Sequence, residues 1–133
     1  MELVCVDPAT ASSFWPFVKD KIYRAIHKAD ISPFRYVESA VLSGNALLWL
    51  AIHDDSVLAA AVTQLEETER RKVCTIVACG GTQMSEWLPL IRGIEKYAGT
   101  QGCHAVRIVG RLGWIRALRA YHVHSAIIEK DIS

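Results

Sequence analysis

Apolar residues recur three or four positions apart at Trp15, Val18, Ile22, Ala25, Ile26 and Ala29. Residues 11–29 therefore read as an amphipathic helix with one face toward a core. A short strand, 2–6, precedes it and is closed by Asp7-Pro8. Ser32-Pro33 reads as an N-cap with proline at the first helical position, Phe34, Val37 and Val41 supply the next apolar face, and Gly44 is the stop. Three strand-like runs follow at 46–53, 57–65 and 72–79, joined by "DDS" and "EETERR", which predicts an antiparallel meander. Trp87, Leu90, Ile91, Ile94 and Tyr97 mark a helix over 86–97, with Pro89 close enough to its start to be tolerated. After "GTQGC" come a strand at 105–109, a short helix at 114–120 and a last strand at 123–128.

The predicted order is βααβββαβαβ: an α/β fold with a mixed, mostly antiparallel central sheet and helices on both faces. A strand, a crossing helix and a second strand generally lie parallel. The runs 72–79 and 105–109 place apolar residues at successive positions, so they are expected as adjacent, central strands buried on both faces. No repeat or linker divides the chain, and 1–133 reads as a single domain.

The stretch "VACGGTQMSEWLPLI" poses the sharpest local question, because a strand running through two glycines into a helix is how an anion-gripping turn looks. The same letters also serve a plain reversal.

Composition narrows the classes. In 133 residues, 51% are hydrophobic and 22% charged, with a net charge of +1, so neither disorder nor a general attraction to nucleic acid is expected. The apolar runs are too short to span a bilayer and the start, "MELVCVDP", lacks a targeting pattern. A soluble, cytoplasmic-type protein is expected. Cys5, Cys74, Cys79 and Cys103 form no C-x-x-C pair, and reduced, largely buried thiols are the expectation.

The order of elements, with "GRLGWIRALRAYHV" before the last predicted strand, resembles the GNAT superfamily of acetyl-CoA-dependent N-acetyltransferases over almost the whole chain. The resemblance implies that residues 79–85 occupy the turn that binds the acetyl-CoA pyrophosphate, with Cys79, Gly80, Gly81, Thr82 and Gln83 as the cofactor-binding set. The family motif there is Q/R-x-x-G-x-G/A. The nearest register starts at Ala78, matches Gly81, and puts Gln83 where the last small residue belongs. Gly81 is expected at a positive φ angle. The family's asparagine and its general-acid tyrosine fall on Arg111 and Leu118, and Tyr121 lies three residues further on. The family's usual base is a strand carboxylate. Residues 73–79 contain none, leaving Glu66, Glu67 and His53 as replacements.

This pattern predicts a GNAT-like protein with a degenerate acetyl-CoA site. The preferred role is a non-catalytic interaction or virion-associated protein of phage or prophage type, since the compact chain looks similar to small GNAT-like proteins of short-tailed phages. That role needs no cofactor and names no catalytic residue. The alternative is an acetyl-CoA-dependent N-acetyltransferase acting on an unknown amine.

A protein partner is expected, with Trp114, Arg116 and Arg119 as its contact: an indole after Gly113 beside two arginines one helical turn apart. Arg107, Arg111, Arg116 and Arg119 are offset by Glu129 and Asp131 nearby, so no specific nucleic-acid site is expected. His122 and His124 share a face if 123–128 is a strand, with Cys103-His104 near, but the spacing fits no zinc pattern and no metal is expected. Cys79 reads as a packing thiol rather than an activated one. Trp15, Trp49 and Trp87 read as core.

Overall fold

The computed structural model describes residues 1–82, 84–110 and 114–133, with backbone only for residues 84–86, 114 and 115. Strand β1 (Glu2–Cys5) is followed by a single 3-10 turn (Pro8–Thr10), α1 (Ala11–Ala29), α2 (Phe34–Ser43), the meander β2 (Leu47–His53), β3 (Ser56–Glu67) and β4 (Lys72–Gly81), then α3 (Met84–Thr100), β5 (Ala105–Ile108) and α4 (Trp114–Ala117). The five strands form one sheet in chain order, with β5 parallel to β4 and every other pair antiparallel. The predicted fold class stands.

Local chemistry explains the boundaries. Pro33 is the extended N-cap of α2 rather than its first helical residue, one position later than expected. Gly44, at φ 83°, closes α2 as the pattern predicts: its N–H donates to the Val41 carbonyl and that of Asn45 to Ala40. These are the paired bonds of a Schellman end. Asp54 and Asp55, both at positive φ, turn β2 into β3 in two residues, a tight hairpin reversal whose twist suits the flanking strands. Thr68 organises the next reversal; its N–H donates to the Arg71 carbonyl and its Oγ1 accepts from the Arg71 N–H.

The sheet alternates its side chains between two cores. On one face Trp15, Val18, Ile22 and Ile26 of α1 and Val37 and Val41 of α2 pack on Leu48, Leu50, Ala60, Val62 and Ala78. On the other, Leu90, Ile91, Ile94 and Ala98 of α3 pack on Trp49, Ala51, Ala61, Cys74 and Ile76. The buried indoles are anchored as well as packed. Trp15 Nε1 donates to Glu38 Oε2 at 2.7 Å, tying α1 to α2, and Trp49 Nε1 donates to Thr63 Oγ1 at 2.9 Å.

Three sequence expectations are corrected. Residues 123–128 form no strand, and among the described residues 122–133 make no backbone hydrogen bond to one another or to the sheet. Val123, Ala126, Ile127 and Ile128 break the two-residue alternation, so no single register buries them all. Ile127 and Ile128 are exposed. As a consequence β5 is not a central strand: it does lie beside β4, but as the half-buried outer strand of the described sheet. The short helix also ends at Ala117 rather than at residue 120.

Candidate functional site

The C-terminal ends of β4 and β5 part. Their parallel pairing runs only from Val73 beside Ala105 to Ile76 beside Ile108, closed by Val109 N–H to the Ile76 carbonyl. At that point β4 carries a bulge. Val62 of β3 faces Ala78 while the next residue, Thr63, faces Ile76, so Val77 is the extra residue. A bulge bends and twists its strand locally. From Ala78 to Gly81 one edge of β4 is paired to β3, and among the described residues no strand lies along the other. Ligands of open α/β sheets collect at such carboxyl ends, where backbone groups are free to bond.

A cleft of about 1010 Å³ opens beside this wedge. Its floor includes Val62, Gln64, Thr75, Val77 and Arg107, Tyr36 of α2 flanks it, and residues 120–125 cross it. A smaller cleft of about 530 Å³ adjoins it through Arg71, Arg107 and His124.

The expected cofactor turn is placed differently. Gly80 and Gly81 lie inside β4, facing Ala60 and Ala59 of β3, and neither is among the glycines at positive φ, which among the described residues are Gly44 and Gly102. Their lack of a side chain serves helix packing. A Cβ on Gly80 would stand 2.6 Å from the Lys21 carbonyl oxygen of α1. One on Gly81 would stand 2.5 Å from Trp87 Nε1 and 2.9 Å from Ala59 Cβ. Successive residues of a strand point to opposite faces, so the two glycines admit one helix on each side. Cys79 packs among the α3-side core, and burial pushes its thiol up to about 12, which makes it inert at neutral pH. Thr82 is exposed beyond the strand. Gln83 lies outside the described residues. Gly80 and Gly81, then, extend the strand and turn no corner.

The remaining predicted residues separate clearly. Leu118, at the position of the family's acid, is buried in the α3-side core at 8% exposure. Tyr121, three residues later, packs on that same core, lines the cleft together with Leu118, and donates from its hydroxyl to Glu95 Oε2 at 2.7 Å. Burial first, and the Glu95 carboxylate second, raise its pKa, so it keeps its proton at neutral pH. Of the three replacement bases only Glu66 lines the cleft. His53 sits at the β2–β3 turn, 3.3 Å from Asp54 Oδ2, and Glu67 is exposed at the end of β3. Arg116 and Arg119 are both exposed but no longer share a helix; the side chain of Trp114 and all of Arg111 lie outside the described residues.

Among the described residues no group of three or more His, Cys, Asp and Glu is placed to hold a metal, and no helix is long and apolar enough to cross a membrane. All four cysteines are free. Sequence reasoning missed Thr75 and Arg107 as a pair, since nothing in "CTIV" or "VRIV" announces that the two strands place them side by side.

No protein-family model matches the chain, and no curated protein sequence does. Solved structures do. An aminoglycoside acetyltransferase from an uncultured soil metagenomic sample, in complex with sisomicin, superposes with a TM-score of 0.68 at 9% identity, covering 99% of this chain and 96% of that one. A predicted acetyltransferase with acetyl-CoA from Clostridium acetobutylicum gives 0.67 at 12%, covering 98% and 96%. A ribosomal-protein-alanine N-acetyltransferase from Brucella melitensis gives 0.68 at 10%, covering 98% and 100%. The fold is that of the GNAT acetyltransferases. At these identities the likeness is one of architecture, and function has to be argued from the site.

Proposed function

We propose that the protein binds an acyl-CoA thioester in the wedge between β4 and β5 and passes the acyl group to an amine, as an N-acetyltransferase. The observation that carries this reading is the parting of β4 and β5 at the Val77 bulge, beside a cleft large enough for an acceptor. A pantetheine arm is itself a chain of amides, and the free edge of 78–81 offers such a chain backbone partners in strand fashion. The diphosphate is served less well, because Gly80 and Gly81 are committed to packing and Thr82 is the described residue left at the turn.

Bound there, acetyl-CoA supplies an activated thioester carbonyl. The chain's own contribution is to hold the amine in line with it, to receive the amine's proton and to return one to the departing thiolate. Glu66 lines the cleft and is able to accept a proton through water, and Tyr121, packed on the α3-side core, is a protonated phenol whose hydroxyl is held by Glu95. Tyr121 thus takes the place that Leu118 cannot fill.

A second reading, the non-catalytic interaction protein, is favoured by one specific observation: Leu118 is core at the position where the family places its acid. In that reading Arg116 and Arg119 face a protein partner, and the phage or virion setting rests on the chain's small size alone. Calorimetry with acetyl-CoA followed by turnover over an amine panel separates the two. Binding with measurable transfer, reduced at least tenfold by Tyr121→Phe or Glu66→Gln, is expected. Absence of acetyl-CoA binding would overturn the transfer reading.

A further inference from the structure

Two buried polar atoms on the cleft floor, Thr75 Oγ1 and Arg107 Nε, have no hydrogen-bond partner. They belong to residues directly opposite one another in the β4–β5 register, and both residues line the cleft. Thr75 is only 3% exposed. A buried donor left unmade costs about 1–3 kcal/mol. Two such atoms side by side therefore point to a group that arrives from outside.

The chemistry of that group can be read from the donors. Arginine has N–H groups and no acceptor, and a hydroxyl can donate beside it. Arg107 is oriented by its Nη2, which lies 3.2 Å from His124 Nε2. Among the described residues no carboxylate stands within ion-pairing distance of Arg107. Arg71 lines the same cleft, and Arg70 and Arg71 line the adjoining one, against the acids Glu66 and Glu95 of the first and Glu69 of the second. A guanidinium with a neighbouring hydroxyl fits a planar anion with two oxygens.

We propose that Thr75 and Arg107 receive the carboxylate of the acyl acceptor, which makes the acceptor an amino acid or short peptide with a free C terminus. This rests on the acyl-transfer reading above. Two residues of β4, or about 6–7 Å of strand rise, separate Thr75 from the bulge where the thioester would present its carbonyl. A dipeptide places its amine about that far from its carboxylate by the same extended-chain rise.

The test uses the acetylated product and needs no cofactor. N-acetylglycylglycine and its C-terminal amide are titrated into the full chain and followed by NMR chemical shifts of β4 and β5. The acid is expected to bind about tenfold more tightly than the amide, as loss of a charge-assisted pair implies. Arg107→Gln and Thr75→Val should bring that ratio close to one, and Thr75→Ser should keep it, with matched thermal melts to show that each variant is folded. Equal binding of acid and amide, no binding of either at about 10 mM, or a preference that survives Arg107→Gln would overturn the proposal. Acid preference without acetyl-CoA binding would remove the transfer reading and leave the carboxylate site. Acetyl-CoA turnover with no acid preference would do the reverse.

Discussion

Gly81 has no room for a single methyl group, since the position of its Cβ is taken by the indole edge of Trp87 and by Ala59. Adding that methyl is an overpacking change of the kind that costs about 1–3 kcal/mol. Gly81→Ala should lower stability by that amount in urea melts and should cost distinctly less in a Trp87→Leu background, because the two changes share one contact. Additive costs would show that Trp87 is not what excludes the side chain. The same contact explains why the glycine pair misleads as a motif: a glycine demanded by close approach of a helix is written with the same letter as one demanded by a phosphate. Nor does Gly81 adopt a positive φ angle, unlike Gly44 and Gly102. Gly44, by contrast, is legible in the sequence, because a helical stripe ending on glycine is a local signal and a Schellman end is a local structure.

At the scale of elements, β4 is the strand on which the molecule turns, with α1 and α3 on its two faces, β3 along one edge and β5 along part of the other. Its thiols report that enclosure. Burial raises Cys79 to about 12, and burial with the Cys103 thiol nearby raises Cys74 to about 11. An unfolded thiol ionises near pH 8.5. Between that value and the folded one, the unfolded chain has released a proton that the folded chain retains, so stability is fully present below about pH 8.5 and falls as pH rises. For Cys79 the slope is about 1.4 kcal/mol per pH unit. Urea melts from pH 7 to pH 10 should show wild type losing stability relative to Cys79→Ala above about pH 8.5; parallel profiles would mean that the thiol is not enclosed. The bulge at Val77 is the other feature of this strand, and it is what ends the pairing to β5. No residue in "CTIVACGG" marks it, because a bulge is a mismatch of two strands and neither strand alone contains it.

Across the whole molecule, the segment after α4 bears on both the fold and the site. Residues 120–125 cross the cleft and His124 meets Arg107, while Ile127, Ile128 and Ile132 stay exposed. Removal of residues 126–133 should therefore leave the thermal midpoint within about 2 °C of the full chain, the scale of well under 1 kcal/mol for a domain of this size; a larger fall would mean that the tail carries a strand after all. The sequence by itself determined what is periodic and local: both long helices, the Gly44 stop, the three-stranded meander with its tight turns, and with them the mixed α/β class that the structure confirms. These follow from apolar spacing and turn chemistry, which act within a few residues. Tertiary structure alone decided the rest. It left β5 as the outer strand, because residues 123–128 cannot bury their apolar positions in any one register. It assigned Gly80 and Gly81 to two helices, packed Leu118 and Tyr121 on the α3-side core, and set Thr75 beside Arg107 across 32 positions of chain, the step from 75 to 107. Each of these is a contact between residues distant in sequence, and its energy lies in the juxtaposition rather than in either residue.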